Sequence, residues 1–270
     1  MAGTLYLIPT PIGNLEDITL RALRLLKECV LIACEDTRTS RVLLAHYGIT
    51  TPVTSYHEHN TLTTLDALFA ALETGDVALI SDAGTPGISD PGYELVREAI
   101  ERGYTVTPLP GASALIAALV ASGLPTDRFV YLGFLPRKNL RDWFEAFKDE
   151  RHTMVAYESP HRLTESLEAL EAAFGPERQI CVAREISKKF EEFIRGSAKD
   201  VLAHMRDQPP RGEIALVIGG APETAQTWDE ARVRAAFSER LNAGDSRSQA
   251  AKAVAAQSGW RKGDIYAMDV

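Results

Sequence analysis

What this chain lacks narrows the field quickly. Its three cysteines, Cys29, Cys34 and Cys181, are too few and too scattered for a disulfide frame or a zinc site. A reducing cytoplasm is the natural expectation. The apolar runs stop well short of the roughly 18 residues that a membrane-spanning helix needs. Met1-Ala2-Gly3-Thr4 carries no basic segment ahead of the first apolar run, so no secretory signal is expected. Neither G-x-G-x-x-G nor G-x-x-x-x-G-K-[ST] occurs, which argues against ordinary dinucleotide redox chemistry and nucleotide hydrolysis. No Ser-His-Asp order, glycosidase carboxylate pair or Cys-x-x-Cys stands out, and there is no internal repeat. Positive charge is also short: 29 Lys and Arg face 37 Asp and Glu, a net charge of -8. Nucleic-acid binders usually present a basic face, so any RNA site here must be a local patch or lean on a partner's surface. Free, non-specific RNA binding is disfavoured.

What is present is an ordinary globular balance, 45% hydrophobic and 24% charged in 270 residues, enough for one large domain or two small ones. Strand-like segments at Thr4–Ile8, Val30–Ala33, Pro52–Tyr56, Val77–Ile80 and Thr105–Pro108 alternate with helical ones. These run from about Asp17, over Ser40–His46, Thr61–Thr74 and Tyr93–Arg102, and from Gly111 to about Ser122. This βα rhythm predicts a largely parallel sheet covered by helices. After Gly123-Leu124-Pro125-Thr126, strands are expected at Phe129–Phe134, Thr153–Tyr157, Gln179–Arg184, Glu191–Arg195 and Glu213–Ile218, with helices at Leu140–Lys148 and His161–Phe174. That is a mixed sheet in a second α/β lobe. Trp228–Leu241 and Ser246–Ser258 read as a helical tail. The expected division is 1–122, 123–222 and 223–270.

Four segments carry candidate chemistry, and each follows a strand, where α/β sheets bind ligands. Pro9-Thr10-Pro11-Ile12-Gly13-Asn14 is either a rigid connector or a ligand loop. Ser81-Asp82-Ala83-Gly84-Thr85-Pro86-Gly87-Ile88-Ser89-Asp90-Pro91-Gly92 is the most informative. Its three glycines let backbone approach a ligand, and Asp82 and Asp90 suit a ligand with positive charge and ribose hydroxyls. Leu109-Pro110-Gly111-Ala112-Ser113-Ala114 opens a helix, with Ser113 either a ligand contact or a cap. Cys34-Glu35-Asp36-Thr37-Arg38-Thr39-Ser40-Arg41 gathers both charges. Glu35 and Arg38 are the functional candidates there, beside the alternative of a helix cap at Thr39 or Ser40. His57-Glu58-His59-Asn60 is read as a polar loop rather than a metal site. Arg137, Lys138 and Arg141, with Arg162, Lys188 and Lys189, offer a local RNA-facing patch or else a solvated surface. Tyr157 and Phe134 either stack on a base or pack in the core.

Taken together these loops resemble the bacterial small-subunit ribosomal RNA methyltransferase I family, the cytidine 2′-O-methyltransferases of the tetrapyrrole methylase fold. The resemblance lies in Leu5–Thr19, Ala33–Arg38, Ser81–Pro86, Asp90-Pro91-Gly92, Pro108–Gly111, Gly123–Pro125, Gly133–Pro136, Tyr157–Arg162 and Ala183-Arg184-Glu185, from residue 4 to about 220. It implies two α/β lobes with S-adenosylmethionine in the cleft between them, a short helical module after them, and a homodimer. The cofactor is then expected at Pro11, at Ser81, Asp82, Ala83, Gly84 and Thr85, at Ser113, and near Tyr157, Ala183 and Ala215. The implied substrate is the ribose of a decoding-centre cytidine in 16S rRNA, cytidine 1402, within the assembled small ribosomal subunit. In that chemistry Glu35 is the candidate proton acceptor and Arg38 the orienting cation. Two rivals remain: a tetrapyrrole methylase on the same fold, and a non-catalytic ribosome-binding factor.

Overall fold

The computed structural model describes residues 2–56, 61–222 and 228–269, apart from the side chains of 61–64. The loop 57–60, read from sequence as polar, lies outside the described residues. Two compact units result, Met1–Lys148 with His152–Gly219, and Asp149–Arg151 with Gly220–Val270. Both α/β layers lie in the first.

The first layer is a parallel five-stranded sheet. β1 (Thr4–Leu7), β2 (Leu31–Cys34), β3 (Val53–Ser55), β4 (Val77–Ile80) and β5 (Thr105–Pro108) take the order β3-β2-β4-β1-β5. β2 and β4, inside the sheet, are buried almost throughout, as helix-covered parallel sheets require. One face meets α1 (Leu20–Glu28) and α2 (Thr37–His46) through Leu25, Leu26, Leu43 and Leu44; the other meets α3 (Thr61–Leu72) and α4 (Tyr93–Glu101) through Leu68, Leu72 and Leu95. Because β4, β1 and β5 are neighbours, the loops leaving their carboxyl ends lie side by side.

Some boundaries differ from the sequence expectation for local reasons. Leu15–Asp17 is a single 3-10 turn, and α1 starts only where the Thr19 hydroxyl accepts from the Ala22 amide. The cap expected at Thr39 or Ser40 is instead Asp36, whose carboxylate accepts from the Arg38 amide, so α2 begins at Thr37.

The second layer is the expected mixed sheet. β6 (Phe129–Phe134), β7 (Thr153–Glu158), β8 (Gln179–Arg184), β9 (Glu192–Ser197) and β10 (Ile214–Ile218) take the order β6-β7-β10-β8-β9, with only the β6–β7 pair parallel. Alternation sorts its two faces. Met154, Ala156, Ile214 and Leu216 pack with α6 (Leu140–Glu145), α7 (Leu163–Phe174) and α8 (Ala198–Asp207). Val155, Ala183, Ala215 and Val217 meet α5 (Ala114–Ala121). Helix α8 went unread in the sequence.

In the second unit α9 (Glu230–Asn242), α10 (Arg247–Ser258) and α11 (Lys262–Tyr266) close around Val233, Phe237, Val254 and Ile265. Ser246 and Gln249 form a capping box at the start of α10. No helix among the described residues is long and apolar enough to cross a membrane.

Candidate active site

The three loops at the end of the first sheet are stitched to one another. Thr10 and Gly84 exchange both backbone hydrogen bonds at 2.9 Å, and the Thr10 hydroxyl donates to the Ser81 carbonyl at 3.0 Å. The Thr85 hydroxyl donates to the Ala112 carbonyl at 3.0 Å. Gly111 lies so close to the Pro9 ring that an added Cβ would stand 2.6 Å from the proline Cβ. Pro9 and Gly111 therefore act as one fitted surface, which is why this loop needs a glycine there.

Against these loops lies a row from the second sheet. Ala215 of β10 is in register with Tyr157 of β7 on one side and Ala183 of β8 on the other. Between loops and row is a cavity of about 950 Å³, in the range of cofactor and ligand sites. Asp82, Ala83, Gly84, Thr85, Ser113, Tyr157, Ala183 and Ala215 all line it. Pro11 and Ser81 do not. The Ser81 side chain is buried behind the wall, with its hydroxyl 3.2 Å from the Gly84 carbonyl. Ser113 occupies the N-cap position of α5 but makes no capping hydrogen bond, so its hydroxyl stays available to the cavity.

Two carboxylates, Asp82 and Asp90, face the cavity from the loop side. Asp90 lines the cavity, and its acid group is pushed up to about 6 by burial and by repulsion from Glu35 and Asp82, against a hydrogen bond from Ser81. Glu35 stands beside Asp90 but outside the cavity lining. The Asp36 amide donates to Asp82 at 3.1 Å, which fixes that segment against the Asp82 loop. Arg38 is exposed, and its guanidinium grips Asp36 through contacts of 2.7–3.2 Å. Opposite, the Tyr157 hydroxyl accepts from the Leu115 amide at 3.0 Å and Tyr131 shares a hydrogen bond of 2.6 Å with Ser89. Burial pushes both phenols up, so both stay neutral.

The six basic candidates are not gathered into one patch. Arg137 and Arg162 line the cavity; Lys138, Arg141, Lys188 and Lys189 do not. Arg162 is turned inward, 3.3 Å from Glu158 and bonded to the carbonyls of Leu135 and Pro136. Lys188 sits between Glu185 at 3.0 Å and Glu213 at 3.2 Å. Arg137, Lys138 and Arg141 are exposed and form no ion pair among the described residues.

Asp90 and Ser89 are the residues that motif reasoning undervalued. Ser89 adopts φ 60, one of four positive-φ residues other than glycine among those described. Two of the others, Glu185 and Ser187, flank Ile186, which lines the same cavity. Strained backbone of this kind concentrates at functional sites. Among the described residues no group of three His, Cys, Asp or Glu is placed to hold a metal ion.

Two sheets facing each other across a loop-walled cavity define a known class. The family model of the tetrapyrrole (corrin/porphyrin) methylases matches residues 4–202, and the chain belongs to that family. The solved uroporphyrin-III-C-methyltransferase from Thermus thermophilus shares the fold, with a TM-score of 0.57 at 23% identity over 81% of this chain and 95% of that one. Closer in sequence are proteins named Ribosomal RNA small subunit methyltransferase I. The one from Synechocystis sp. is 45% identical, covering 99% of this chain and 98% of its own. The one from Pseudomonas aeruginosa is 50% identical, covering 82% and 81%. Within the methylase fold, the chain is a member of this small-subunit methyltransferase I family.

Proposed function

We propose that this chain transfers a methyl group from S-adenosylmethionine to the 2′ oxygen of a decoding-centre cytidine of 16S rRNA, cytidine 1402. It acts in the cytoplasm as a homodimer on the assembled small ribosomal subunit. The lobes 1–122 and 123–222 are its working parts and 223–270 an accessory tail. The observation that carries this reading is the cavity with Asp82 and Asp90 on its loop side and the Tyr157, Ala215 and Ala183 row opposite, in a chain so close to relatives bearing that name.

The residues fit the cofactor. Asp82 and Asp90 place two carboxylates at the cavity on a segment, Ser81 to Gly92, that carries no Lys or Arg, and a sulfonium with an amino group supplies the complementary charge. The small side chains of Ala183 and Ala215 leave a flat apolar wall for a purine, and Ser113 offers a free hydroxyl. Bound there, S-adenosylmethionine supplies an activated methyl carbon. The protein's part is alignment of the acceptor oxygen and removal of its proton. Glu35 is the proposed proton acceptor. Arg38, held by Asp36, is the proposed orienting cation.

In this scheme Glu35→Gln lowers turnover by about a hundredfold or more, the usual effect of removing a general base, and leaves the cofactor Kd unchanged. Single-turnover methylation alongside calorimetry checks this, and full turnover in the variant would remove Glu35 from the role. The broader reading is tested by product: S-adenosylhomocysteine should appear when small subunits are supplied and not when tetrapyrroles are. The reverse result would place the chain with the tetrapyrrole enzymes.

A further inference from the structure

We propose that Phe134 is a stacking platform for the base of the target nucleotide, with Arg137 beside it to meet the RNA phosphate chain. The proposal rests on the RNA-methylation reading above.

The local backbone was built to place this ring. In an uninterrupted strand Tyr131 and Phe134, three residues apart, would face opposite sides of the sheet. The β6–β7 register breaks between them: Tyr131 pairs with Val155, Gly133 with Ala156, and Phe134 with Tyr157. Leu132 is thus the extra residue of a bulge, and Gly133 takes φ 68, where a side chain would be strained. The slip of one residue turns Phe134 onto the face of Tyr131. Both rings then meet Tyr157, each with centroids 5.5 Å away.

The three rings differ in what remains open. The Tyr131 hydroxyl is engaged with Ser89 and the Tyr157 hydroxyl with the Leu115 amide. Both tyrosines are half-buried. Phe134 has no polar group to satisfy, yet it is 65% exposed while lining the cavity. Tyr157 braces it from one side and leaves the rest of the ring open. Three residues on, Arg137 lines the same cavity with its charge unpaired among the described residues. Arg162, which also lines the cavity, is tied down by Glu158.

The reaction needs such a surface. A ribose oxygen inside folded RNA comes within reach of a carbon held inside a cavity when its nucleotide leaves the stack. An aromatic face at the entrance replaces the stacking that is lost, and a nearby guanidinium meets the displaced backbone. The row of Tyr157, Ala215 and Ala183 is an apolar surface deeper in the cavity lining, suited to the adenine of the cofactor.

The test compares wild type with Phe134→Ala, Phe134→Leu and Phe134→Trp. Three quantities are measured: kcat/KM for small subunits, affinity for small subunits by filter retention, and cofactor Kd by calorimetry. Phe134→Ala and Phe134→Leu are expected to lose roughly tenfold to a hundredfold in kcat/KM, the effect of removing one base-stacking ring. Phe134→Trp should retain activity, and cofactor Kd should be constant throughout. Arg137→Ala should weaken subunit binding and reduce its salt dependence. Full activity in Phe134→Leu would overturn the proposal, because an apolar contact would then suffice. Weakened cofactor binding in Phe134→Ala would overturn it too, by assigning the ring to the adenine. If wild type transfers no methyl group to subunits, the methylation reading fails. The platform is then judged by subunit binding alone, where equal affinity of wild type and Phe134→Ala refutes it.

Discussion

Asp90→Asn is expected to bind S-adenosylmethionine roughly thirtyfold more weakly, a loss of about 2 kcal/mol for one charged contact, while its empty form becomes more heat-stable at pH 8. Both effects come from one cause. The Asp90 carboxyl titrates at about 6 in the folded chain against 3.8 for a free aspartate, because it is buried beside Glu35 and Asp82. Below 3.8 both folded and unfolded states hold the proton, and the group's contribution to stability is complete. Between 3.8 and about 6 only the folded state holds it, so stability falls as pH rises. Above 6 the charge is present and unfavourable until a cation arrives. Cofactor affinity should therefore tighten from pH 5 to pH 7 with a midpoint near 6, and asparagine should flatten that step. Calorimetry and thermal melts at pH 5, 6 and 8 measure both. A step that persists in the variant would assign it to another group.

Glu158→Ala should cost about 3 kcal/mol and lower Tm by roughly 6–12 °C, since breaking a buried pair leaves its partner uncompensated. The Glu158 side chain is 2% exposed. It accepts from the Ser159 amide at 2.7 Å and the Ser166 hydroxyl at 2.5 Å, and lies 3.3 Å from Arg162. Arg162 in turn donates to the carbonyls of Leu135 and Pro136. Removing the carboxylate therefore loosens the segment just after Phe134 as well as the end of β7. Glu158→Leu combined with Arg162→Met should recover much of the loss, because apolar pairs of similar volume often replace buried ion pairs without penalty. A melt within about 2 °C of wild type for Glu158→Ala would show the pair to be a surface contact in effect.

The strands and the loops that follow them were readable because apolar runs stop abruptly at Pro9 and Ser81 and the third strand runs into Pro108-Leu109-Pro110-Gly111, and a parallel sheet puts such stops on one edge. The row of Tyr157, Ala215 and Ala183 was expected only from the family resemblance, because β10 runs antiparallel to both neighbours and no shared edge of strand ends fixes its register. Other features depend on partners far away in the chain. Nothing near Asp90 announces that Glu35 will stand beside it. Lys188 looks like a free surface charge until Glu213 is folded against it. Helix α8 was legible as well, since Ala198, Val201, Leu202 and Met205 stand at i, i+3, i+4 and i+7, but the sequence reading left it out. The bulge did leave a trace, a glycine inside a strand pattern at Gly133, although spacing alone could not tell which way it would turn Phe134.

Ribose methylation is tested most directly with small subunits from cells lacking the enzyme, and separately with their protein-free RNA. Each is incubated with the protein and methyl-labelled S-adenosylmethionine, then digested and mapped by mass spectrometry. Label is expected on the ribose of a single decoding-centre cytidine, more from assembled subunits than from naked RNA, because a chain of net charge -8 needs the particle's own surface. No label on either substrate, from a protein that still binds the cofactor, would contradict it.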